Sequence, residues 1–519
     1  DVVIGDTVVA LLYGDQKLRK VDVDGNGLVR QVNAERTFEV TGTKIIAMFD
    51  PQQDLTSSDV FGNAAATLVP STAGSYSKVT LGAPKALRAK FRPGGLMETV
   101  NTEGRTVIHM HAPENDPAGA NRRVSADTVR SQFSPDGRFL SKAEAVGNAE
   151  LYIEPVAAAP ERYKTTVNAP RFDCDFFATG NSARSCDAGT KTETVRDPMV
   201  ASAGRGRQTL SSAKLNVRFN EGSRDAEVLT ASGNAKFSEL ARNATANTFE
   251  YNVTEQIVRL RGGEPTAWDD RARAKAGEID WDTRNRRSSL RGNVSTTYYS
   301  QNATGGATPF SGSTRPVYIT AGAADIDHAA ETADYRQNAR AWQDDNYLRA
   351  ETISISQKES RLSAQGGVQS MLTRVASGSG GPSKQPVHAS AARMNYVRSS
   401  GLLRYEEGVE IKQGNDRITG AIANIYLDDK NEVSQTVIEN QVVITQPGRK
   451  ATGDYAQYIA ANETVLLRGS PARINDAQRG SSDGAEILVH MRDDRVVGQG
   501  KSERDPSGRI RSVFKVKND

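Results

Sequence analysis

The chain has 519 residues, of which 37% are hydrophobic and 25% are charged, a composition that excludes an intrinsically disordered protein but lies on the polar side for a folded one. Its 66 basic residues are nearly balanced by 63 acidic residues, and the resulting net charge of +3 argues against a nucleic-acid-binding protein. A low apolar content over such a length favours an extended repeat array over several thick-cored domains.

The N-terminal residues DVVIGDTVVALLYGD have neither the basic flank nor the cleavage site of a signal peptide. No stretch of the sequence reaches the roughly 18–20 apolar residues that a membrane helix needs. We therefore expect a mature or trimmed chain, from which any export signal or anchor has been removed.

The first half of the chain carries a slow repeat marked by alanine. Ala83, Ala126, Ala169 and Ala213 follow one another at steps of 43, 43 and 44 residues. Long loops, such as APENDPAGANRR at residues 112–123, fill these steps. A regular period with insertions placed in loops is typical of a stacked repeat.

The two cysteines, Cys174 and Cys186, lie in the stretch FDCDFFATGNSARSC. Their spacing is too wide for a CxxC redox pair, and no second pair or nearby histidine completes a zinc site. A disulfide between them would close a short loop, contribute about 3 kcal/mol to stability and indicate an oxidising compartment. Two free, buried thiols are the alternative interpretation.

The second half of the chain repeats faster, with a small residue at steps of 30, 45, 29, 39, 31 and 31 residues. These residues are Ala246, Ala276, Ala321, Ala350, Ala389, Gly420 and Ala451. The two long steps contain the stretches 301–316 and 376–386, rich in glycine, serine and proline, and without them the period is about 30 residues. The change of period predicts two sections of one array, residues 1–225 and 226–519.

Each repeat unit has the pattern of strands. In PVYITAG, for example, Val317, Ile319 and Ala321 fall on one face, and Tyr318 and Thr320 fall on the other. Such alternation in short runs bounded by Gly, Asn and Asp predicts half-buried antiparallel strands. The alternation breaks within many units, which predicts a bulge that turns the strand round a corner. We expect an all-β fold of V-shaped strand pairs stacked into two facing sheets.

A second marker, Gly-Asn or Gly-Gly, precedes several of the alternating runs. Both residue types adopt left-handed backbone conformations more readily than others, as a tight turn requires. The marker occurs at Gly62, Gly147, Gly233, Gly292 and Gly366.

The sequence predicts no catalytic residues, no metal site and no cofactor. Three aspartate pairs match the paired carboxylates of polysaccharide hydrolases in composition only, because they recur at unit junctions, where aspartate stabilises turns. The pairs are Asp269 with Asp270, Asp344 with Asp345, and Asp428 with Asp429. The motif HMH places His109 and His111 on one strand face, but no acidic residue or cysteine nearby completes a metal site.

The stretch VHASAARMNYVRSSGLLRYEEGVEIKQGNDRITGAIANIYLDDKNEV, residues 387–433, resembles the OstA-like module of the lipopolysaccharide-transport family that includes LptA and LptC. It has the HAS…M.Y opening, the GVEI.Q strand, and ITG followed by a charged turn. Residues 347–372 and 451–474 resemble further copies of this module. The resemblance extends over residues 225–475 and, more weakly, over residues 40–225.

The resemblance implies an elongated antiparallel β-jellyroll, called a β-taco, whose two facing sheets enclose an apolar groove for acyl chains. It implies that residues 1–225 are an LptC-like or divergent OstA-like section and that residues 226–519 are LptA-like. Carried over position by position, the groove residues are Val317, Ile319, Leu348, Val368, Val387, Val409, Ile411 and Ile418.

The function implied by the resemblance is a non-catalytic periplasmic conduit for lipopolysaccharide or a similar lipid. The implied partners are an inner-membrane ABC transporter and an outer-membrane translocon, and an N-terminal segment outside this sequence could tether the chain to the inner membrane. Exposed edge strands at the two ends of such an array would favour end-to-end pairing with another copy or a homologue.

A structural or adhesive β-solenoid is the alternative. Its interior would be fully packed, and its binding would take place on loops such as residues 301–316. The two hypotheses differ in whether the interior between the sheets is open to lipid.

Overall fold

The computed structural model describes residues 2–71, 76–221, 226–299, 308–310, 315–373, 386–428, 433–490, 495–500 and 508–515. The chain folds into two compact units, Asp1–Pro265 and Thr266–Asp519. The predicted insertions 301–316 and 376–386 lie largely outside the described residues. The predicted division at residue 225, between an LptC-like and an LptA-like section, stays a prediction.

The first unit consists of antiparallel strands. They are β1 (Val2–Ile4), β2 (Thr7–Leu12), β3 (Leu18–Val32), β4 (Arg36–Phe49), β5 (Leu55–Phe61), β6 (Ala64–Pro70), β7 (Lys78–Ala83), β8 (Ala86–Arg92), β9 (Leu96–Glu103), β10 (Thr106–His111), β11 (Ala120–Ala126), β12 (Thr128–Phe133), β13 (Leu140–Pro155), β14 (Tyr163–Phe176), β15 (Ala183–Ala188), β16 (Thr192–Pro198), β17 (Gln208–Ser212), β18 (Lys214–Phe219), β19 (Ala226–Glu239), β20 (Arg242–Asn252) and β21 (Ile257–Arg261).

Two sheets share the long strands of this unit, because β3, β4, β13, β14, β19 and β20 bend and contribute one half to each sheet. Sheet A has the order β1-β3-β4-β6-β7-β10-β11-β13-β14-β16-β17-β19-β20. Sheet B has the order β2-β3-β4-β5-β8-β9-β12-β13-β14-β15-β18-β19-β20-β21.

The bends occur at the Gly-Asn marker. In β13, Gly147 and Asn148 have φ values of 81° and 46°, and the register with β14 shifts between Val146 and Ala149. These two left-handed residues form a bulge, which sharpens the turn of the strand from one sheet into the other. The five marker glycines all have positive φ, namely Gly62, Gly147, Gly233, Gly292 and Gly366. The predicted V-shaped strand pair is thereby confirmed.

Apolar residues from both sheets pack together inside the first unit. Residues of sheet B and sheet A form one buried cluster of Val23, Ile45, Val60 and Leu87 with Val40, Ala64 and Ala83. Small side chains are required close to the bend, because the inner faces converge there. Ala126 and Ala169 are buried as this geometry demands, whereas Ala213 is exposed and faces Gly233 on the outside of the bend.

The second unit repeats the same design with longer and more regular strands. They are β22 (Thr266–Trp268), β23 (Ala272–Lys275), β24 (Glu278–Asp282), β25 (Arg287–Tyr298), β26 (Val317–Asp327), β27 (Thr332–Gln343), β28 (Asn346–Ser356), β29 (Arg361–Leu372), β30 (Val387–Val397), β31 (Leu402–Gln413), β32 (Asp416–Leu427), β33 (Val433–Gln446), β34 (Arg449–Ile459), β35 (Thr464–Asp476), β36 (Gly480–His490), β37 (Arg495–Gln499) and β38 (Arg511–Phe514).

Each strand from β25 to β35 bends in its middle and pairs with the next strand in both sheets of this unit. Sheet C begins with β22 and β23 and ends with β38, and sheet D begins with β24 and ends with β37. The fold is therefore all-β and of the predicted jellyroll type. Among the described residues, the single helical segment is the 3-10 turn Arg398–Ser400, and no helix is long and apolar enough to span a membrane.

Close approach of sheets C and D at the bend requires glycine at Gly420. A Cβ atom at this position would lie 2.5 Å from Cγ2 of Ile438 on the facing sheet. A larger residue would push the two sheets apart, so that the width of the interior depends on this position.

Candidate functional site

The eight predicted groove residues all lie on sheet C and belong to its inner face. Strand alternation sets this arrangement, because side chains two positions apart share a face. Ile319, Leu348, Val368, Val409 and Ile411 are buried. Val317, Val387 and Ile418 are half-buried. All eight side chains therefore point into the interior, but the space in front of them differs along the unit.

Large side chains pack the interior from β25 to the first half of β31, in the described residues 287–299, 308–310, 315–373 and 386–406, which we call the closed section. Two tyrosines of sheet D cross it. The Tyr335 hydroxyl lies 2.9 Å from Oγ1 of Thr296 and 2.7 Å from the hydroxyl of Tyr298, both on sheet C. The Tyr405 hydroxyl lies 2.8 Å from Oγ of Ser370 on sheet C. Each tyrosine thus joins the two sheets across the interior.

These tyrosines are fully shielded from water. Burial disfavours the charged phenolate, so that it raises the pKa of Tyr335 well above its ordinary value and the pKa of Tyr405 to about 12. Other large side chains complete the packing of the closed section. Those that are fully buried include Leu290, Ile353, Leu362, Met394, Tyr396 and Leu403. Ile319 and Leu348 are themselves completely buried in this packing.

A cavity of about 250 Å³ lies between the sheets in residues 409–490, which we call the open section. Among the predicted groove residues, Ile411 and Ile418 line it, and Val387 lines its boundary with the closed section. The rest of the wall is mainly aliphatic. Its apolar members are Ile425, Val433, Ile438, Ile444, Ala451, Ala456, Val465, Leu467, Ile474, Ile487 and Val489.

Polar side chains stand at the sheet C mouth of this cavity. Nε2 of Gln446 donates a hydrogen bond of 2.9 Å to Oδ2 of Asp416. Arg449 forms an ion pair with Asp476, with 3.1 Å between Nη2 and Oδ2. All these residues except Asp476 line the cavity. The site therefore combines an apolar interior with a polar rim, as a site for an amphiphilic ligand requires.

A smaller cavity of about 140 Å³ shares Arg449 and Ile474 with the first and extends to the last strands. Val513 and Phe514 of β38 line it, and the side chain of Phe514 is strongly exposed, with 76% of its surface accessible. Apolar surface thus continues from the cavity to the C-terminal edge of the second unit.

The first unit holds the cysteine pair. Cys174 and Cys186 are directly opposite each other on β14 and β15 and are joined by a disulfide of 2.06 Å. Alternation with the buried residues Phe172 and Ala188 places the bridge on the inner face of sheet B. The disulfide thus ties two neighbouring strands of one sheet together.

The other candidates from the sequence lie in surroundings that stabilise the fold. Oδ1 of Asp269 accepts backbone hydrogen bonds of 2.8 Å from Arg271 and Ala272, the geometry of a turn. His109 and His111 stack with their ring centroids 6.0 Å apart. Within the described residues, no three His, Cys, Asp or Glu side chains converge as metal ligands would. Asp429 lies outside the described residues.

Sequence reasoning missed the cavity wall contributed by sheet D and by the later strands of sheet C. Ile438, Ile444 and Leu467 follow the same alternation as the predicted residues, in the runs TVIENQVVITQ and TVLLRG. Extending the alternation past residue 420 would have identified them. The tyrosines that close the interior carry no comparable signal, because alternation does not show what a side chain meets on the facing sheet.

The fold and the cavity define an all-β protein with an apolar interior between paired sheets. Residues 201–287 and 387–495 match the sequence model of a family described as LptA/(LptD N-terminal domain) LPS transport protein. These two segments thus carry the sequence pattern of the OstA-like lipopolysaccharide-transport family that the resemblance predicted.

One solved structure with similarity to the chain is LptH from Pseudomonas aeruginosa, described as the LptA homologous periplasmic component of the conserved lipopolysaccharide transport device. LptH is 18% identical, with a TM-score of 0.23, over 26% of this chain and 96% of LptH. Comparison with curated protein sequences gives no match.

Proposed function

We propose that the chain is a non-catalytic carrier of lipopolysaccharide in the periplasm, with acyl chains held between sheets C and D. The observation that carries this proposal is the aliphatic cavity of about 250 Å³ in the open section. Transfer of an acyl chain from water into such a site is favourable by roughly 0.8 kcal/mol for each methylene group buried. The hydrophilic sugars of the lipid stay outside, next to the polar rim.

The direction of transport in this proposal is the one that the family resemblance implies. The chain receives lipid from an inner-membrane ABC transporter and delivers it toward an outer-membrane translocon. The energy comes from the ATPase of the transporter, since the chain itself needs only a surface on which acyl chains can move. The disulfide between Cys174 and Cys186 supports an oxidising compartment such as the periplasm.

Edge strands support end-to-end pairing with another copy or a homologue. In the described residues, β2 pairs with β3 alone, and its apolar residues Val8, Val9 and Leu11 are exposed. The other unit ends in β37 and β38, where Val513 and Phe514 are exposed. Unpaired apolar edges of this kind accept a further strand readily.

Site-specific photocrosslinking tests the carrier function. A benzoylphenylalanine at Ile444, whose side chain lines the cavity, should give an adduct with lipopolysaccharide in cells. The same substitution at Val443, the next residue along β33, places the crosslinker on the outer face and serves as the matched control. The readout is the lipopolysaccharide-containing band on an immunoblot of the purified protein.

Adducts at Ile444 and not at Val443 support the carrier. Adducts at neither position, with both variants folded, would leave the structural β-solenoid as the better description. The tyrosines Tyr335 and Tyr405, which join the sheets of the closed section, are the observation that favours this second candidate.

A further inference from the structure

Two arginines lie on the inner face of sheet A in the first unit. Arg122 on β11 alternates with Val124 and the buried Ala126. Arg196 on β16 alternates with the buried Thr194. A guanidinium group is unusual on the inner face of a sheet, where apolar and small side chains predominate.

The two arginines lie at the same height along the strand direction, on different strands of the sheet. Arg122 is paired in register with Ile153, Ile153 with Thr165, and Thr165 with Arg196. Three strand spacings of about 4.8 Å separate them, which gives about 14 Å along the sheet. Both lie two residues from a strand end, so that they stand near the mouth of the interior.

Each guanidinium is held by a tyrosine. Nη1 of Arg122 donates a hydrogen bond of 2.7 Å to the hydroxyl of Tyr76 and lies near its ring. The Arg196 guanidinium carbon lies 4.4 Å from the ring centroid of Tyr163, and its Nη1 donates to Oε1 of Gln208 at 3.0 Å. Within the described part of the chain, neither arginine forms an ion pair, so most of its five N–H donors are available.

On the adjacent outer face, by contrast, an arginine is neutralised by an ion pair. Arg123, the next residue along β11, forms an ion pair of 2.7 Å with Glu150. On the inner face, the carboxylate of Glu239 attracts Arg196, and Gln208 hydrogen-bonds to both side chains. Glu239 also pairs with Arg242, so that one carboxylate serves two guanidinium groups and the net charge stays positive.

Burial makes this positive charge costly. Desolvation lowers the pKa of Arg196, which shows that the charged form loses hydration without full compensation. Farther from the mouth, the same inner face carries the half-buried apolar side chains of Val124, Leu151 and Val167. Cationic side chains near the mouth, with apolar side chains farther inside, match an amphiphile with an anionic head and hydrocarbon tails.

We propose that Arg122 and Arg196 bind phosphate groups on the head of the transported lipid while its acyl chains lie against the apolar inner face of the first unit. Guanidinium groups recognise phosphate through paired, charge-assisted hydrogen bonds. The spacing of about 14 Å suits two phosphates on one head group rather than a single anion held between both arginines. This assignment rests on the proposed carrier function.

Binding of two lipids to the full chain tests the assignment. The probes are fluorescent lipid A with both phosphates and the same lipid after enzymatic dephosphorylation. We expect the chain to prefer the phosphorylated lipid by about a hundredfold, and we expect Arg122→Gln and Arg196→Gln each to reduce the preference by about tenfold. Neither variant should change the affinity for the dephosphorylated lipid.

Arg123→Gln is the matched control, because it removes an arginine from the outer face of the same strand and should leave the preference unchanged. An equal affinity of the native chain for both lipids would overturn the arginine assignment and leave the carrier function standing. Binding of neither lipid would overturn both. Displacement of the lipid by inorganic phosphate at similar concentrations would identify a site for free phosphate instead.

Discussion

The closed and open sections of the second unit share one backbone design but differ in what crosses the interior. In the closed section, Tyr335 and Tyr405 extend from sheet D and bond to short side chains of sheet C. In the open section, aliphatic residues of moderate length, such as Ile438 of sheet D and Ile444 of sheet C, line a cavity of about 250 Å³. The choice of inner side chain, and not the fold, decides whether the interior is open.

The geometry of facing sheets explains this difference. Packed sheets lie about 10 Å apart, a distance that a tyrosine and a hydroxyl partner can bridge together. A tyrosine on one sheet therefore requires a small residue on the other, and Thr296 and Ser370 meet this need. Branched aliphatic residues on both sheets reach only part of the way and cannot hydrogen-bond across. An acyl chain can occupy the remaining space.

The largest effect that separates the two sections is expected from removal of a tyrosine that joins the sheets. Tyr335→Ala should lower the free energy of unfolding by about 3–5 kcal/mol, because it creates a buried cavity and removes the partner of Thr296 and Tyr298. Tyr458→Ala in the open section should cost less than about 2 kcal/mol, since Tyr458 is half-buried beside an existing cavity.

Urea unfolding followed by circular dichroism measures both losses. Similar losses for the two variants would mean that the sections are equally packed, in conflict with the cavity. A third variant, Tyr335→Phe, keeps the ring and loses only the hydroxyl, so that it separates packing from hydrogen bonding.

Much of the fold was predictable because it depends on local patterns. Alternation within PVYITAG predicts a strand, and the Gly-Asn pairs predict the bends, since left-handed backbone is a property of these residues themselves. The match of residues 387–495 to the family's sequence model was predictable for the same reason, because residues 387–433 carry the family's motifs in order.

Whether the interior is packed or open was not predictable, because it depends on contacts between residues that are distant in the sequence. Tyr335 and Thr296 are 39 positions apart, and no local pattern shows that their hydroxyl groups meet. Ile319 and Ile411 have the same local alternation, yet the first is enclosed by packed side chains and the second lines a cavity. The arginines of the first unit could not be singled out from the sequence, because an arginine in a strand is usually on the outer face.

Alkaline pH should weaken the packing around the fully buried Tyr405 of the closed section. Burial raises the pKa of Tyr405 to about 12, whereas an unfolded tyrosine titrates near 10. Below pH 10 both states keep the proton and stability does not change. Between about pH 10 and 12 the unfolded state releases a proton that Tyr405 retains in the folded state, so Tyr405 alone lowers the free energy of unfolding by about 3 kcal/mol over this range.

Unfolding free energies of the native chain and of Tyr405→Phe between pH 9 and 12 check this expectation. The variant lacks the ionisable hydroxyl, so its stability should fall less steeply over that range. Burial also raises the pKa of Tyr458 in the open section, so Tyr458→Phe should lessen the fall as well, but by less than Tyr405→Phe, because Tyr458 is only half-buried. Parallel slopes for Tyr405→Phe and the native chain would contradict the burial of this hydroxyl.

The smallest effect on stability, and the most informative one, is expected from filling the cavity. Ile444→Trp places the added volume in the open section and should change the free energy of unfolding by less than about 1 kcal/mol. Ile319→Trp forces the same volume into packed surroundings and should cost about 1–3 kcal/mol or more. Mass spectrometry of co-purified lipid should show less lipopolysaccharide on Ile444→Trp than on the native chain. A stable Ile444→Trp variant that retains its lipid would mean that acyl chains bind outside this cavity, because the space would then be filled by indole and not by lipid.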